Sequence, residues 1–139
     1  MDHMHSKHRE RMRQRYMTEG AEGFATHELL ELFLYYAIPQ GDVNATAHAL
    51  IEDHRSLQGV LSADIDELCT TTGVGPKTAM MLNVAGELLR RCTIENRPQI
   101  AVYDSCRKVR EFVEPYYVGV KTERVYAILF DNGMRMIDF

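Results

Sequence analysis

In the stretch Thr72-Gly73-Val74-Gly75-Pro76-Lys77-Thr78, a short helical pattern stops and a long one starts. Gly73 and Gly75 have no Cβ, so the chain can take positive φ there and let another backbone come close. Val74 between them is the apolar peg expected to turn inward. Pro76 suits a first helical position, because its missing N–H would have been an unpaired helix-start donor anyway. The N–H groups of Lys77, Thr78 and Ala79 are then expected to point outward with the positive end of the helix dipole. Lys77 adds a mobile cation beside them, and the result is an anion site on a hairpin of two helices.

Working outward from this hairpin, the flanking residues read as helix throughout. Ser56 and Ser62 are placed to cap two short helices, Leu57 to Leu61 and about Ala63 to Cys69. The long helix from Pro76 to about Arg91 presents Ala79, Leu82, Ala85, Gly86 and Leu89 on one face. Further back, Asp42 or Asn44 caps a helix that runs to about His54. Thr26 caps another over His27 to Ile38, whose Leu29, Leu30, Leu32, Phe33, Leu34, Tyr36 and Ile38 leave little polar face and predict a central buried helix. Lys7 to about Thr18 is a further helix, with Met12 and Tyr16 on its apolar side and Arg9 and Arg13 flanking it.

The 139 residues allow one domain, or a small domain plus part of a second. An apolar fraction of 45% with 26% charged residues is that of a chain able to bury a core. No apolar run is long enough to cross a bilayer and no signal segment follows the N-terminal charges, so a cytoplasmic protein is expected, with no membrane partner. Three cysteines, Cys69, Cys92 and Cys106, lack the paired spacing of a zinc ribbon, an iron-sulfur cluster or a disulfide framework. The net charge of -4 counts against wrapping nucleic acid through bulk charge, so local distribution matters more. Residues 1–15 carry Lys7, Arg9, Arg11, Arg13 and Arg15 against Asp2 and Glu10, whereas residues 19–31 carry Glu19, Glu22, Glu28 and Glu31 and no cation.

The pattern changes after Cys92. Residues 93–100, with Glu95, Asn96, Arg97 and Pro98, read as a linker between a helical domain at 1–92 and a second region at 101–139. There Asp104 or Ser105 caps a helix with Val109, Phe112, Val113 and Tyr116 on one face. A strand over Arg124 to Phe130 follows, then Asn132-Gly133 as a two-residue hairpin signal, then a return strand from Met134 to Phe139. Continuous apolarity from Val125 to Phe130 predicts a strand covered on both faces, with one helix at hand to cover it. The region is therefore read as the opening of an incomplete α/β domain, and its sheet as a surface open to self-association. The fold class expected is mainly α, with this α/β piece at the end.

Gly73-Val74-Gly75 followed by Lys77 is similar to the helix-hairpin-helix motif, which grips the sugar-phosphate backbone. More widely, His8-Arg9-Glu10-Arg11, His27-Glu28-Leu29-Leu30-Glu31-Leu32, Tyr36-Ala37-Ile38-Pro39, Gly41-Asp42-Val43 and Gly73 to Lys77 resemble the N-terminal helical region of the bacterial RadC family, labelled DNA repair proteins and also designated UPF0758. The resemblance covers essentially the whole chain. It implies a non-sequence-specific contact with duplex or branched DNA through Gly73, Val74, Gly75, Lys77 and Thr78, supplemented by Arg9 and Arg13, or else a protein-interaction module.

It also implies that Lys121 to Asp131 is similar to the start of a JAB/MPN metallo-hydrolase domain. Glu123 then matches that family's general acid/base, which acts on a zinc-held water. The metal ligands of that family, in a His-x-His-x7-Ser-x2-Asp arrangement, are not found here; His3 and His5 are followed by Arg13 and Tyr16 where Ser and Asp would be required. The expectation is an orphaned Glu123 in an inactive chain without cofactor, and zinc in the full-length parent. A DNA glycosylase reading would need an Asp past the hairpin helix. The first is Asp104, beyond the linker.

Overall fold

The helix α1 (Asp2–Glu19) begins earlier than the Lys7 start that its apolar spacing predicted, so that His3 to His5 lie in its first turn. The computed structural model describes residues 2–96, 100–120 and 122–139, the side chains of 2–6 excepted, and those of His3 and His5 lie outside the described residues. Met12 is buried, and α1 stops at Gly20, whose φ of +73° lets its N–H donate to the Tyr16 carbonyl at 3.0 Å.

Next come α2 (Thr26–Leu34), α3 (Asn44–His54), α4 (Leu57–Ser62), α5 (Ile65–Leu68) and α6 (Pro76–Glu95). Two caps differ from expectation. Thr26 is the first residue of α2, not its cap; the free Ala25 N–H is taken by Glu28 Oε2 at 2.8 Å, reaching back from the first turn. That bond, with help from Arg15, holds the Glu28 carboxyl below the usual carboxylate range. Ser56 does cap α4, accepting from the Gly59 N–H at 3.0 Å, but α5 is capped by Asp64, whose Oδ1 accepts from the Glu67 N–H at 2.9 Å. Ser62 is instead the last residue of α4. At α3, Asp42 Oδ1 accepts from the Asn44 N–H at 3.0 Å, one turn-residue ahead of the helix.

The core of this helical part is built from Leu30 and Leu34 of α2, Ala47 and Leu50 of α3, Val60 of α4, Leu68 of α5, and Ala79 and Leu82 of α6. The expectation that α2 is buried all round is corrected: Leu30, Leu34 and Tyr35 are inside, while Phe33 and Tyr36 face solvent. The chain divides into two compact units, residues 1–85 and 86–139, within α6, which continues as helix to Glu95. Part of the expected linker, residues 97–99, lies outside the described residues.

In the second unit α7 (Cys106–Tyr117) buries Phe112 among rings of Tyr103, Tyr116 and Phe139. The strands β1 (Leu129–Phe130) and β2 (Met136–Asp138) pair antiparallel, Leu129 opposite Asp138 and Phe130 opposite Met136. The ladder is thus far shorter than the strand read from Arg124 to Phe130. Burial alternates along it as well: Tyr126, Ile128 and Phe130 are half-buried, while Ala127 and Leu129 are exposed and Val125 is 91% exposed, so one face is covered and not two.

The turn also differs from a two-residue Asn-Gly hairpin. The Met134 N–H donates to the Asp131 carbonyl at 3.0 Å, the Asp131 N–H to the Arg135 carbonyl at 2.9 Å, and the positive φ (+58°) falls on Met134. This is a three-residue loop ending in a left-handed residue. Asp131 selects it, since its Oδ1 accepts from both the Gly133 and Arg135 N–H groups at 2.8 Å. Among the described residues the chain is mainly helical with this one small sheet, and no helix is long and apolar enough to cross a membrane.

Candidate nucleic-acid interface

The turn between α5 and α6 is fixed from beneath by α3. The Thr71 hydroxyl, buried, donates to Asp53 Oδ2 at 2.7 Å, and the Thr71 carbonyl accepts from the Val74 N–H at 3.1 Å. Val74 turns inward and is buried, as the peg reading expected. Gly73 holds a φ of +87°, and a Cβ added there would stand 2.4 Å from Thr46 Oγ1, so both its dihedral and its surroundings require glycine.

Gly75 is different. Its φ is not in the left-handed region, and a Cβ built on it meets nothing within 4 Å. It serves as the residue before the helix: its carbonyl accepts from the Ala79 N–H at 2.9 Å, and Pro76 opens α6. That bond corrects the expected donor set, because Ala79 is already inside the helical ladder. The N–H groups of Gly75, Lys77 and Thr78 make no hydrogen bond among the described residues. The Thr78 side chain is buried, whereas Lys77 is exposed and, among the described residues, makes no ion pair. The arrangement is a short row of N–H groups at a helix start beside one uncommitted cation, which suits a phosphate oxygen.

Arg9 and Arg13, singled out with the turn in the sequence, do not join it. Arg9 is only 7% exposed; its Nη1 donates to the Ile38 carbonyl at 2.7 Å and its Nη2 to the Gly41 carbonyl at 2.9 Å, with the guanidinium 4.7 Å from the centre of the Tyr35 ring. It ties down the connection between α2 and α3 by satisfying two of its backbone carbonyls, and is not free for a phosphate. Arg13 is exposed, 3.9 Å from Glu10, and lines a groove between α1 and α2. Glu123 is exposed, and among the described residues no group of three or more His, Cys, Asp or Glu could hold a metal ion. The residues present therefore do not fit zinc. Cys69, Cys92 and Cys106 are free thiols.

Sequence reading missed the polar centre of the helical unit. Glu31, 1% exposed, accepts from the Tyr35 hydroxyl at 2.5 Å and bonds His8 Nε2 at 3.0 Å through Oε1, and accepts from Asn44 Nδ2 at 2.8 Å through Oε2. It ties α1, α2 and α3 to one carboxylate, and burial together with this bond pushes the Tyr35 hydroxyl well above the ordinary tyrosine range. The available signal was an acid set between Leu30 and Leu32 in the apolar run from Leu29 to Ile38, which is costly unless such donors surround it. Thr46, which shapes the Gly73 site, gave no signal of its own.

A UPF0758 protein of Fusobacterium nucleatum is 41% identical over 81 residues, covering 58% of this chain and 35% of its own. A UPF0758 protein of Methylibium petroleiphilum is 30% identical over 130 residues, covering 93% of this chain and 58% of its own. One from Ruegeria pomeroyi is 33% identical over 101 residues, 70% of this chain and 45% of its own. The chain thus spans between about a third and three fifths of the length of these relatives. No solved structure matches. The family description UPF0758 N-terminal fits residues 4–80, from the first turn of α1 through α5 to the start of α6, and the chain belongs to the UPF0758 family.

Proposed function

We propose that the helical unit binds the sugar-phosphate backbone of DNA without reading bases, and that the turn from Gly73 to Thr78 is a helix-hairpin-helix of the RadC kind. Gly75 is the observation that carries this reading. Nothing among the described residues demands a glycine there, whereas a phosphate approaching the Gly75, Lys77 and Thr78 N–H groups needs the space that a side chain would fill. Lys77 supplies the charge. Phosphates carry no base code, so the contact is indifferent to sequence, and with a net charge of -4 on the chain it is weak and salt-dependent.

The test is fluorescence anisotropy of a labelled duplex and a labelled three-way junction, titrated with the 139-residue chain at several salt concentrations. Lys77→Glu is expected to weaken binding and to lower the salt slope by about 1, as loss of one phosphate contact does. Gly75→Ala is expected to weaken binding by several-fold while leaving thermal unfolding close to wild type. A K77E chain that binds as tightly as wild type across the whole salt series refutes the proposal.

For the longer relatives, the resemblance of the region around Glu123 to a JAB/MPN hydrolase extends this proposal to a targeting unit joined to a zinc-dependent one. The residues described here hold no zinc site, and no chemical step is assigned to them.

A further inference from the structure

We propose that the groove between α1 and α2 docks an acidic amphipathic helix of a partner protein. The groove, about 420 Å³ in volume, is walled by Tyr16 and Met17 of α1 and by Leu29, Phe33 and Tyr36 on and just after α2. Among the described residues Arg13 is the one charged residue that lines it. These side chains belong to a single compact unit.

Three observations identify the occupant. First, α2 carries apolar side chains beyond its core-facing side, with Leu29, Leu32 and Phe33 beside the buried Leu30 and Leu34, and an apolar face of that width is stable when it is covered. The chain itself covers the Leu30 and Leu34 side, and leaves Tyr36 76% exposed and Met17 on the facing wall 83% exposed. Isolated exposed apolar residues are ordinary, but a contiguous patch with a concave shape marks an interaction surface. Second, two helices flanking an apolar trough are the geometry into which a third helix lays its anchors at i, i+3, i+4 and i+7. The unbranched Met17 can adapt to such anchors.

Third, the charge has one sign. Arg13 reaches Glu10 only at 3.9 Å, with both side chains largely solvated, and a pair of that kind contributes little and exchanges readily. A carboxylate on the incoming helix would meet Arg13; a lysine would be repelled.

Two other occupants fit less well. Stacked bases need free ring faces, but the Tyr16 ring is already set edge-on against Phe24, with centroids 5.8 Å apart, and much of the remaining wall is Leu and Met. A second copy meeting the groove about a twofold axis would bring the same Arg13 to a surface that offers no carboxylate among its lining residues.

The test is selection from a displayed library of amphipathic helical peptides on the 139-residue chain, with recovered peptides measured by anisotropy. The expected winners carry apolar residues at helical spacing flanked by Glu or Asp, and bind with micromolar affinity. Tyr36→Ser and Met17→Ser, both at solvent-facing positions and checked for unchanged circular dichroism, should weaken them at least tenfold. Arg13→Glu should invert the preference, so that the Glu-to-Lys versions of the same peptides bind better. Absence of enrichment over the Y36S/M17S chain, or winners indifferent to charge reversal at Arg13, overturns the proposal. So does tighter groove-dependent binding of a thymidine oligonucleotide, or a dimer by sedimentation that Y36S abolishes.

Discussion

Replacing Gly73 by alanine probes the foundation of the candidate interface, because two separable penalties meet at that residue. Its φ of +87° is unfavourable for any residue with a Cβ, at a cost of roughly 1–2 kcal/mol. The new methyl would also stand 2.4 Å from Thr46 Oγ1 and 3.4 Å from Thr46 Cβ and Cγ2. Thr46 is buried and β-branched, so it yields by moving α3 or adopting a poor rotamer, at a cost of about 1–3 kcal/mol. The sum, about 2–5 kcal/mol, is a large fraction of the roughly 5–15 kcal/mol typical of a whole domain.

Urea denaturation followed by far-ultraviolet circular dichroism measures it, and the Thr46→Ala background separates the parts. That background removes Oγ1 and Cγ2, so the penalty for Gly73→Ala should fall there to about 1–2 kcal/mol, the dihedral share alone. A Gly73→Ala chain within about 0.5 kcal/mol of wild type would mean that the turn is not left-handed, since ordinary surface changes have that size. Strict additivity with Thr46→Ala would mean that Thr46 does not hold the turn down.

Asp64→Ala should destabilise the chain by about 1 kcal/mol through loss of the α5 cap, whereas Ser62→Ala should change little; equal costs in urea denaturation would return the cap to Ser62. Glu31→Ala should cost about 3 kcal/mol by leaving the Tyr35 hydroxyl and Asn44 amide without their acceptor, and a neutral result by the same assay would contradict the buried network. Arg9→Lys should lower the melting temperature yet leave the salt slope of DNA binding unchanged, because an ammonium cannot span the Ile38 and Gly41 carbonyls as the planar guanidinium does. The Glu87 carboxyl is held at about 2 by hydrogen bonds from Arg90 and Arg91, against 4.5 when unperturbed. Its contribution is therefore present above about pH 4.5 and is lost as pH falls towards 2. Protection factors of the Arg90 and Arg91 amides, corrected for the intrinsic pH dependence of exchange, should fall across that window in wild type and stay constant in Glu87→Gln; an identical fall in both would exclude the pairs as its cause.

The amino-acid sequence by itself determined the order and kind of the helices, because their apolar spacing and their Gly and Pro punctuation are local properties. Val74 as the inward peg and Pro76 as the start of α6 follow from single residues and needed nothing else. Which of several neighbouring polar residues caps a helix was already less legible. Thr26, Ser62 and Asp64 all have the right chemistry, and backbone direction at each end chooses among them. The two glycines of the hairpin look alike as letters. Only the packing of α3 beneath the turn gives Gly73 an internal role against Thr46 and leaves Gly75 without one.

Tertiary structure also decided the fate of the charges. Arg9 and Arg13 sit four residues apart on one helix, and both read as phosphate contacts. One is drawn inside because the loop carbonyls of Ile38 and Gly41, between α2 and α3, lie within its reach; the other stays on the rim of a groove. Glu31 was legible only as an oddity in an apolar helix. Its donors come from 23 residues before it and 13 after it, on helices that meet only once the chain has folded.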